Sequence, residues 1–356
     1  MQSKWEQNVK KVIPYIPGEQ PKDTGIIKLN TNENPYPPCD GVERTLRDFR
    51  ADTLRLYPDT DSTELRDALA KRYGVGYEQI FLGVGSDDVL SMAFLALFAS
   101  DKPVLFPDIT YSFYDVWADV YKIPYKTVPL DDNFRIDPDK FNQPNGGIVF
   151  PNPNAPTGVL ESIDTVEKIV SLNKDSVVIV DEAYIDFGGV SAVGLVEKHD
   201  NLLVVQTFSK SRSLAGARIG FAIGSRRLIK YLNDVKFSVN SYTMNRLTQA
   251  CGLASVLDEQ YFCDTVKKII KTRERLKDEL FSLGFKLTDS MANFVFASHK
   301  DVSAKVLFEE LKKRKIFVRY WDKPRINNYL RITVGTDEQT DKLIEALKEI
   351  LSERGV

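Results

Sequence analysis

The run Val177-Val178-Ile179-Val180-Asp181-Glu182-Ala183-Tyr184 sets four aliphatic residues in succession before an aspartate, and Thr207-Phe208-Ser209-Lys210 closes a second such run, Leu202 to Gln206. Continuous apolar runs suit strands covered on both faces, as in a parallel sheet between helical layers. Further strands are predicted at Ile80 to Val84, Pro103 to Phe106, Tyr125 to Val128, Gly147 to Phe150 and Arg218 to Ile223. With helical stretches between them, the seven predict an α/β domain around a mostly parallel sheet.

Working outward, Pro14, Pro17, Pro21, Pro35, Pro37 and Pro38 mark residues 1–40 as an extended N-terminal arm, leaving 41–245 for the α/β domain. Asp61-Ser62-Thr63-Glu64 resembles a capping box that opens a helix, and Gly74 sits where its C-cap belongs. From Ser241 the texture is helical and predicts one long linking helix. Short strands at Phe285 to Leu287, Phe294 to Ala297, Ile316 to Arg319 and Tyr329 to Val334, with helices near Val302 to Lys313 and from Asp337, predict a smaller α+β domain over 246–356.

Across 356 residues, 48 Lys and Arg stand against 50 Asp and Glu, a net charge of −2 that argues against nucleic acid or a membrane surface as partner. Cys39, Cys251 and Cys263 are odd in number and form no close pair, so neither a disulfide framework nor a zinc ribbon is indicated, and a cytoplasmic setting fits. The most apolar window, Val89 to Ser100, is too short for a membrane span. The N-terminus lacks the apolar core of a secretory signal. His199 and His299 are the only histidines, and both read as surface residues beside apolar runs. No metal site is expected from them, and a Ser-His-Asp hydrolase would have to recruit one of the two.

Ligands of open α/β sheets bind at the carboxyl ends of strands. Four such ends are informative. Gly83-Val84-Gly85-Ser86-Asp87-Asp88 leads a strand into a helix, either as a phosphate site or merely as a cap formed by Ser86. Asp181 ends an aliphatic run, as a buried carboxylate or a solvated one. Lys210, among Ser and Thr hydroxyls with Arg218 eight residues on, is a loop lysine or an amine that bonds an aldehyde. Asn152-Pro153-Asn154-Ala155-Pro156-Thr157-Gly158 is a constrained turn. Asp181 and Lys210 lie 29 residues apart, one strand-crossover-strand unit, so both can reach the same rim. An aspartate for a pyridinium nitrogen, a lysine for an aldehyde and a helix N-terminus for a phosphate together match the needs of pyridoxal phosphate.

At this point the chain resembles the fold-type I pyridoxal-phosphate aminotransferases over essentially its whole length, most closely those acting on histidinol phosphate. The resemblance rests on Leu29-Asn30-Thr31-Asn32-Glu33-Asn34-Pro35, Arg55-Leu56-Tyr57-Pro58, Gly85-Ser86-Asp87, Thr110-Tyr111, Asn154 to Gly158, Asp181 to Tyr184, Ser209-Lys210, Leu214 to Arg218 and Leu330 to Thr336. It implies pyridoxal 5'-phosphate as cofactor, with Lys210 as its covalent anchor and proton carrier, Asp181 on the ring nitrogen, Tyr184 on the phenolic oxygen and Tyr111 stacked on the ring. Gly85, Ser86, Asp87, Thr207, Ser209 and Arg218 would form the phosphate site. Tyr57 would reach the phosphate in the partner of a homodimer with shared active sites.

Asn32, Arg319 and Arg331 would bind substrate, and Tyr15 would close over the neighbouring subunit's substrate. The family has asparagine just before Pro-Thr-Gly where this chain has Ala155, so Asn154 or Asn152 would take over the contact with the cofactor, or that bond would be absent. The implied reaction converts L-histidinol phosphate and 2-oxoglutarate into 3-(imidazol-4-yl)-2-oxopropyl phosphate and L-glutamate, a step of histidine biosynthesis. An aromatic amino-acid aminotransferase or a threonine-phosphate decarboxylase would share the scaffold. A non-catalytic regulator would need a DNA-binding segment that the sequence does not show.

Overall fold

The protein is described by a computed structural model covering residues 3–22 and 24–356; Met1, Gln2 and Asp23 of the expected arm lie outside the described residues. A two-residue strand β1 (Ile27–Lys28) and the helices α1 (Asp40–Asp48) and α2 (Thr63–Tyr73) precede the main sheet. Its strands are β2 (Ile80–Gly83), β3 (Val104–Pro107), β4 (Tyr125–Val128), β5 (Gly147–Pro151), β6 (Val178–Asp181), β7 (Leu202–Thr207) and β8 (Gly220–Gly224). They lie in the order β2-β8-β7-β6-β5-β3-β4, and only β8 runs antiparallel to its neighbours.

The apolar runs divide by alternation. Val178, Val180, Leu202 and Val204 face one buried cluster, shared with Leu65, Leu69, Val166 and Ile169 of α2 and α5 (Ile163–Leu172). Ile179, Leu203 and Val205 face the other, shared with Val89, Phe94, Trp117 and Leu232 of α3 (Ser86–Leu97), α4 (Tyr114–Tyr121) and α6 (Arg226–Val239). Each residue of β6 and β7 is thus buried whichever way it points, which is why their runs are continuous, whereas the edge strand β4 is exposed at Tyr125, Lys126 and Thr127.

The link beyond this sheet is two helices, α7 (Arg246–Leu257) and α8 (Glu259–Ser282), not one. Asp258 breaks it: with ψ at 71° it leaves helical geometry, and its carboxylate caps the Tyr261 amide at 3.1 Å. The smaller unit has a four-stranded antiparallel sheet of β9 (Phe285–Leu287), β10 (Phe294–His299), β12 (Arg319–Tyr320) and β13 (Leu330–Thr333), covered by α9 (Ala304–Lys313) and α10 (Asp337–Ser352). Val318 splits the expected strand Ile316 to Arg319, and its first half, β11 (Ile316–Phe317), pairs in parallel with β1 of the arm. Among the described residues, no helix is long and apolar enough to cross a membrane.

Two local expectations are corrected. Ser62 makes no side-chain cap bond; Asp59 takes that place, accepting from the amides of Asp61 and Thr63 at 3.0 and 2.7 Å. His299 is buried, not on the surface, because its ring satisfies backbone groups: Nε2 donates to the Leu283 carbonyl at 2.9 Å, and Nδ1 accepts from the Asp301 and Val302 amides.

Candidate active site

The chain passes from β3 outward to β4 and then returns beside β3 as β5, so the loops after β3 and β5 diverge and leave a crevice. The loop after β3 brings Tyr111 to it, that after β5 brings Ala155, β6 ends in Asp181, and β7 leads to Lys210. These residues line a cavity of about 170 Å³ together with Ser86, Asp87, Tyr184, Thr207, Ser209 and Arg218. A second cavity of about 500 Å³ lies outside it, bounded by Tyr15, Asn32, Trp321, Arg319 and Arg331. Lys210, Tyr111, Tyr184, Thr31 and Ala155 line both. The two spaces therefore meet at Lys210, whose Nζ donates to the Thr31 carbonyl at 3.2 Å and makes no ion pair among the described residues.

At one part of the inner cavity, Asp181 is buried and its Oδ2 accepts from the Tyr114 hydroxyl at 2.9 Å while Oδ1 accepts from the Ala183 amide at 3.2 Å. Burial pushes its carboxyl up to about 6, against the opposing pull of those two bonds. A cation brought to this carboxylate would relieve the cost of burying it.

Another part is built for an anion. The first amides of α3, at Ser86 and Asp87, have no partner within the helix. Arg218 closes over them, with Nη1 3.4 Å from Ser209 Oγ and Nη2 3.3 Å from the Asp87 carboxylate, which also accepts from the Tyr111 hydroxyl at 2.8 Å. Thr207 bonds Ser209 Oγ at 3.0 Å and steadies the turn. Two glycines permit this close approach. At Gly85, with φ of +87°, a Cβ would sit 2.4 Å from Arg218 Nη2, and at Gly220 it would sit 2.3 Å from the backbone of Gly85 and Ser86. Gly220→Ala is expected to cost about 3 kcal/mol, because the obstruction is backbone and cannot rotate away. A thermal melt of the purified variant checks this.

The outer cavity is cationic. Arg331 lies with its guanidinium 5.3 Å from the Phe294 ring and 5.1 Å from the Trp321 ring, and burial pulls its pKa down. Its one hydrogen bond, 3.0 Å, goes to the Asn30 carbonyl, and Nε has no partner. Arg319 lies on the Trp321 ring at 5.3 Å and donates to the carbonyls of Ile16 and Pro17. Neither arginine meets a carboxylate among the described residues. Two such guanidiniums facing one space suit an oxyanion.

Not every expected residue arrives as expected. Tyr15 stacks on Phe113 of its own chain, ring centroids 4.2 Å apart, and borders its own outer cavity, because Arg319 and Asn30 hold the arm by the Ile16, Pro17 and Glu19 carbonyls. Tyr57 is 75% exposed, stacks on Tyr242 and borders neither cavity. Asn154 and Asn152 also stay out of both. Asn154 Nδ2 donates to the Ile109 carbonyl and Thr157 while its Oδ1 is buried without a partner, and Asn152 exchanges bonds with the Glu161 backbone, so both side chains are held by protein groups outside the cavities. Asn32 borders the outer cavity, but its amide side chain is spent on Tyr184 and Thr333.

Sequence reasoning missed Tyr114, Trp321 and Asn34. Asn34 Nδ2 donates to the carbonyls of Lys210 and Ser211 at 2.9 and 3.3 Å, fixing the lysine's backbone from the far end of the chain. Tyr114 falls three residues after Tyr111, a spacing that brings two rings to one side of a helical turn and could have flagged it.

The model of the aminotransferase class I and II family matches residues 24–347. The chain belongs to the class I and II aminotransferases. It is 53% identical over 350 residues to histidinol-phosphate aminotransferase of Lactococcus lactis subsp. cremoris, covering 98% of each chain. It is 50% identical over 352 residues to histidinol-phosphate aminotransferase of Clostridium beijerinckii, covering 99% of this chain and 98% of that one. The fold matches the crystal structure of histidinol-phosphate aminotransferase from Sinorhizobium meliloti in complex with pyridoxal-5'-phosphate, with a TM-score of 0.84 at 24% identity over 92% of this chain and 91% of that one.

Proposed function

We propose that the chain is a pyridoxal-phosphate-dependent aminotransferase that converts L-histidinol phosphate and 2-oxoglutarate into 3-(imidazol-4-yl)-2-oxopropyl phosphate and L-glutamate. The observation that carries this reading is a lysine shared by two cavities, the inner one supplied with an anion cradle and a buried carboxylate, the outer one with unpaired guanidiniums. The names of the Lactococcus and Clostridium relatives, at 53% and 50% identity, point to the same substrate.

Pyridoxal phosphate fits the inner cavity. Asp181, raised by burial, gains from a ring N–H⁺; Ser86, Asp87, Ser209 and Arg218 suit its phosphate; and Lys210 stands free to bond its aldehyde. When bound, the cofactor supplies an electron sink that weakens the Cα–H bond of the amino substrate. Lys210 Nζ carries the proton to and from that carbon, and no histidine is needed for it. Arg331 and Arg319 hold the phosphate of histidinol phosphate and, in the other half of the cycle, a carboxylate of glutamate. The Tyr15 arm and Trp321 shield this ion pairing from water.

Two tests follow. With 2-oxoglutarate fixed, histidinol phosphate is expected to outrun phenylalanine and threonine phosphate as substrate; a preference for phenylalanine would move the assignment to an aromatic aminotransferase. In Arg331→Ala, kcat/KM is expected to fall about 100-fold for both histidinol phosphate and glutamate, the worth of charge-assisted bonds. Loss for one substrate alone would show that they do not share this anion site.

We further infer a homodimer with shared active sites. Leu54, Leu56, Tyr57 and Tyr242 are exposed apolar residues on adjoining segments, tied together by Arg246 through the Leu56 and Tyr57 carbonyls. Such a patch suits a second copy of the chain, whose cavity Tyr57 would then border.

A further inference from the structure

We infer that Asn32 is a positioning residue that aims the Tyr184 proton into the inner cavity, not a substrate ligand. The inference rests on the proposed cofactor and deepens it. A phenol has one proton to give and lone pairs to receive with. Asn32 Nδ2 donates to Tyr184 Oη at 2.9 Å, so the Tyr184 oxygen is engaged as an acceptor. No acceptor for the Tyr184 proton occurs among the described residues, and Tyr184 borders both cavities while being only 8% exposed. Its proton is therefore left for whatever occupies the cavity. A neutral donor aimed at a developing or settled oxyanion is worth more than the same donor free to rotate.

The orientation of Asn32 is fixed by donor accounting. Thr333 Oγ1 accepts from the Asn32 backbone amide at 3.0 Å, and its own proton goes to Asn32 Oδ1 at 3.1 Å, which leaves Nδ2 for the tyrosine. Asn293 Nδ2 holds the Asn32 carbonyl at 3.0 Å. With φ at +56°, Asn32 occupies a left-handed conformation that asparagine tolerates better than most residues. The backbone amide, the carbonyl, Oδ1 and one of the two Nδ2 hydrogens of Asn32 are thus committed to protein, and the residue is buried, which leaves one amide hydrogen without a protein partner. Ala155, which also lines the inner cavity, offers a methyl group and no hydrogen bond, so the neutral donors bordering that space are Tyr184 and the hydroxyls of Thr31, Ser86 and Ser209. Thr333 and Asn293 belong to the smaller unit, so the aim of the Tyr184 proton depends on how the two units meet.

The test is a pH titration of the bound cofactor's colour in the holoenzyme. Asn32→Asp keeps the size and the backbone preference but replaces the donor by an acceptor that would draw the Tyr184 proton toward itself. The spectrophotometric pKa is expected to rise by about one unit, a tenfold loss of preference for the anionic ring oxygen. Tyr184→Phe should give a shift in the same direction, and adding Asn32→Asp to it should give no more. Thr333→Val, which loosens Asn32 without touching the tyrosine, should give a smaller shift of the same sign. An unmoved pKa in Asn32→Asp with a raised KM for histidinol phosphate would overturn the inference in favour of direct substrate contact. A shift that persists in full on the Tyr184→Phe background would also overturn it. Failure of the wild-type chain to take up pyridoxal phosphate on Lys210 would instead count against the proposed function.

Discussion

In Lys210→Ala, transamination is expected to fall by about 10⁴-fold, because one substitution removes both the proposed covalent anchor and the proposed proton carrier. The fold should survive. Lys210 Nζ makes a single hydrogen bond, to Thr31, and the backbone of Lys210 is held independently by Asn34. Melting temperature should therefore change little while activity collapses. Borohydride reduction of the wild-type protein should fix the cofactor covalently, and peptide mapping should find it on Lys210. Full activity in Lys210→Ala would refute the mechanism, since neither histidine can replace the lysine: His199 bonds Glu167 and precedes β7, at the end of that strand opposite Lys210, and His299 is spent on backbone groups.

Asp181→Asn should separate activity from stability. Catalysis is expected to drop by about 10²- to 10³-fold, the usual effect of deleting a preorganised charge. The ligand-free protein should move the other way. In the folded chain the Asp181 carboxyl is pushed up to about 6 from an ordinary 3.8, so the folded state holds its proton more tightly than the unfolded state does. Stability is then undiminished below pH 3.8, falls as the pH rises through this window, and carries the full cost above about 6. At pH 7.5 that cost is on the order of 3 kcal/mol, and asparagine escapes it. Denaturant midpoints of the two ligand-free proteins should coincide near pH 4 and diverge by pH 7.5, with the variant the more stable. Added pyridoxal phosphate should stabilise the wild type more than the variant, which is the trade expected of a site strained until its ligand arrives.

Much of the fold was legible because burial leaves a local trace. Runs such as Val177 to Val180 and Leu202 to Val205 are apolar at every position, since each face of the sheet has its own helical layer. The strand ends then mark the rim, so Asp181 and Lys210 pair on the sequence alone. Groups whose meaning depends on partners distant in sequence were not legible. Asn34 acts on Lys210 across 176 residues, and Asn32 acts on Tyr184 across 152, so neither carries a local mark. Tyr15 went to its own chain's cavity because Arg319, some 300 residues on, holds the arm's carbonyls. The break at Asp258 was readable in principle: an aspartate three residues before Tyr261 is an ordinary helix cap.

The proposed choice of substrate depends on the outer cavity, which Arg331 and Arg319 line without meeting a carboxylate among the described residues. The most direct test is the formation of glutamate from 2-oxoglutarate by the holoenzyme, with histidinol phosphate, phenylalanine or threonine phosphate as the amino donor. The structure leads to glutamate formation at high kcat/KM with histidinol phosphate, at least about 100-fold above phenylalanine, the worth of the lost phosphate contacts. Equal or faster turnover of phenylalanine, or loss of carbon dioxide from threonine phosphate without glutamate formation, would contradict it.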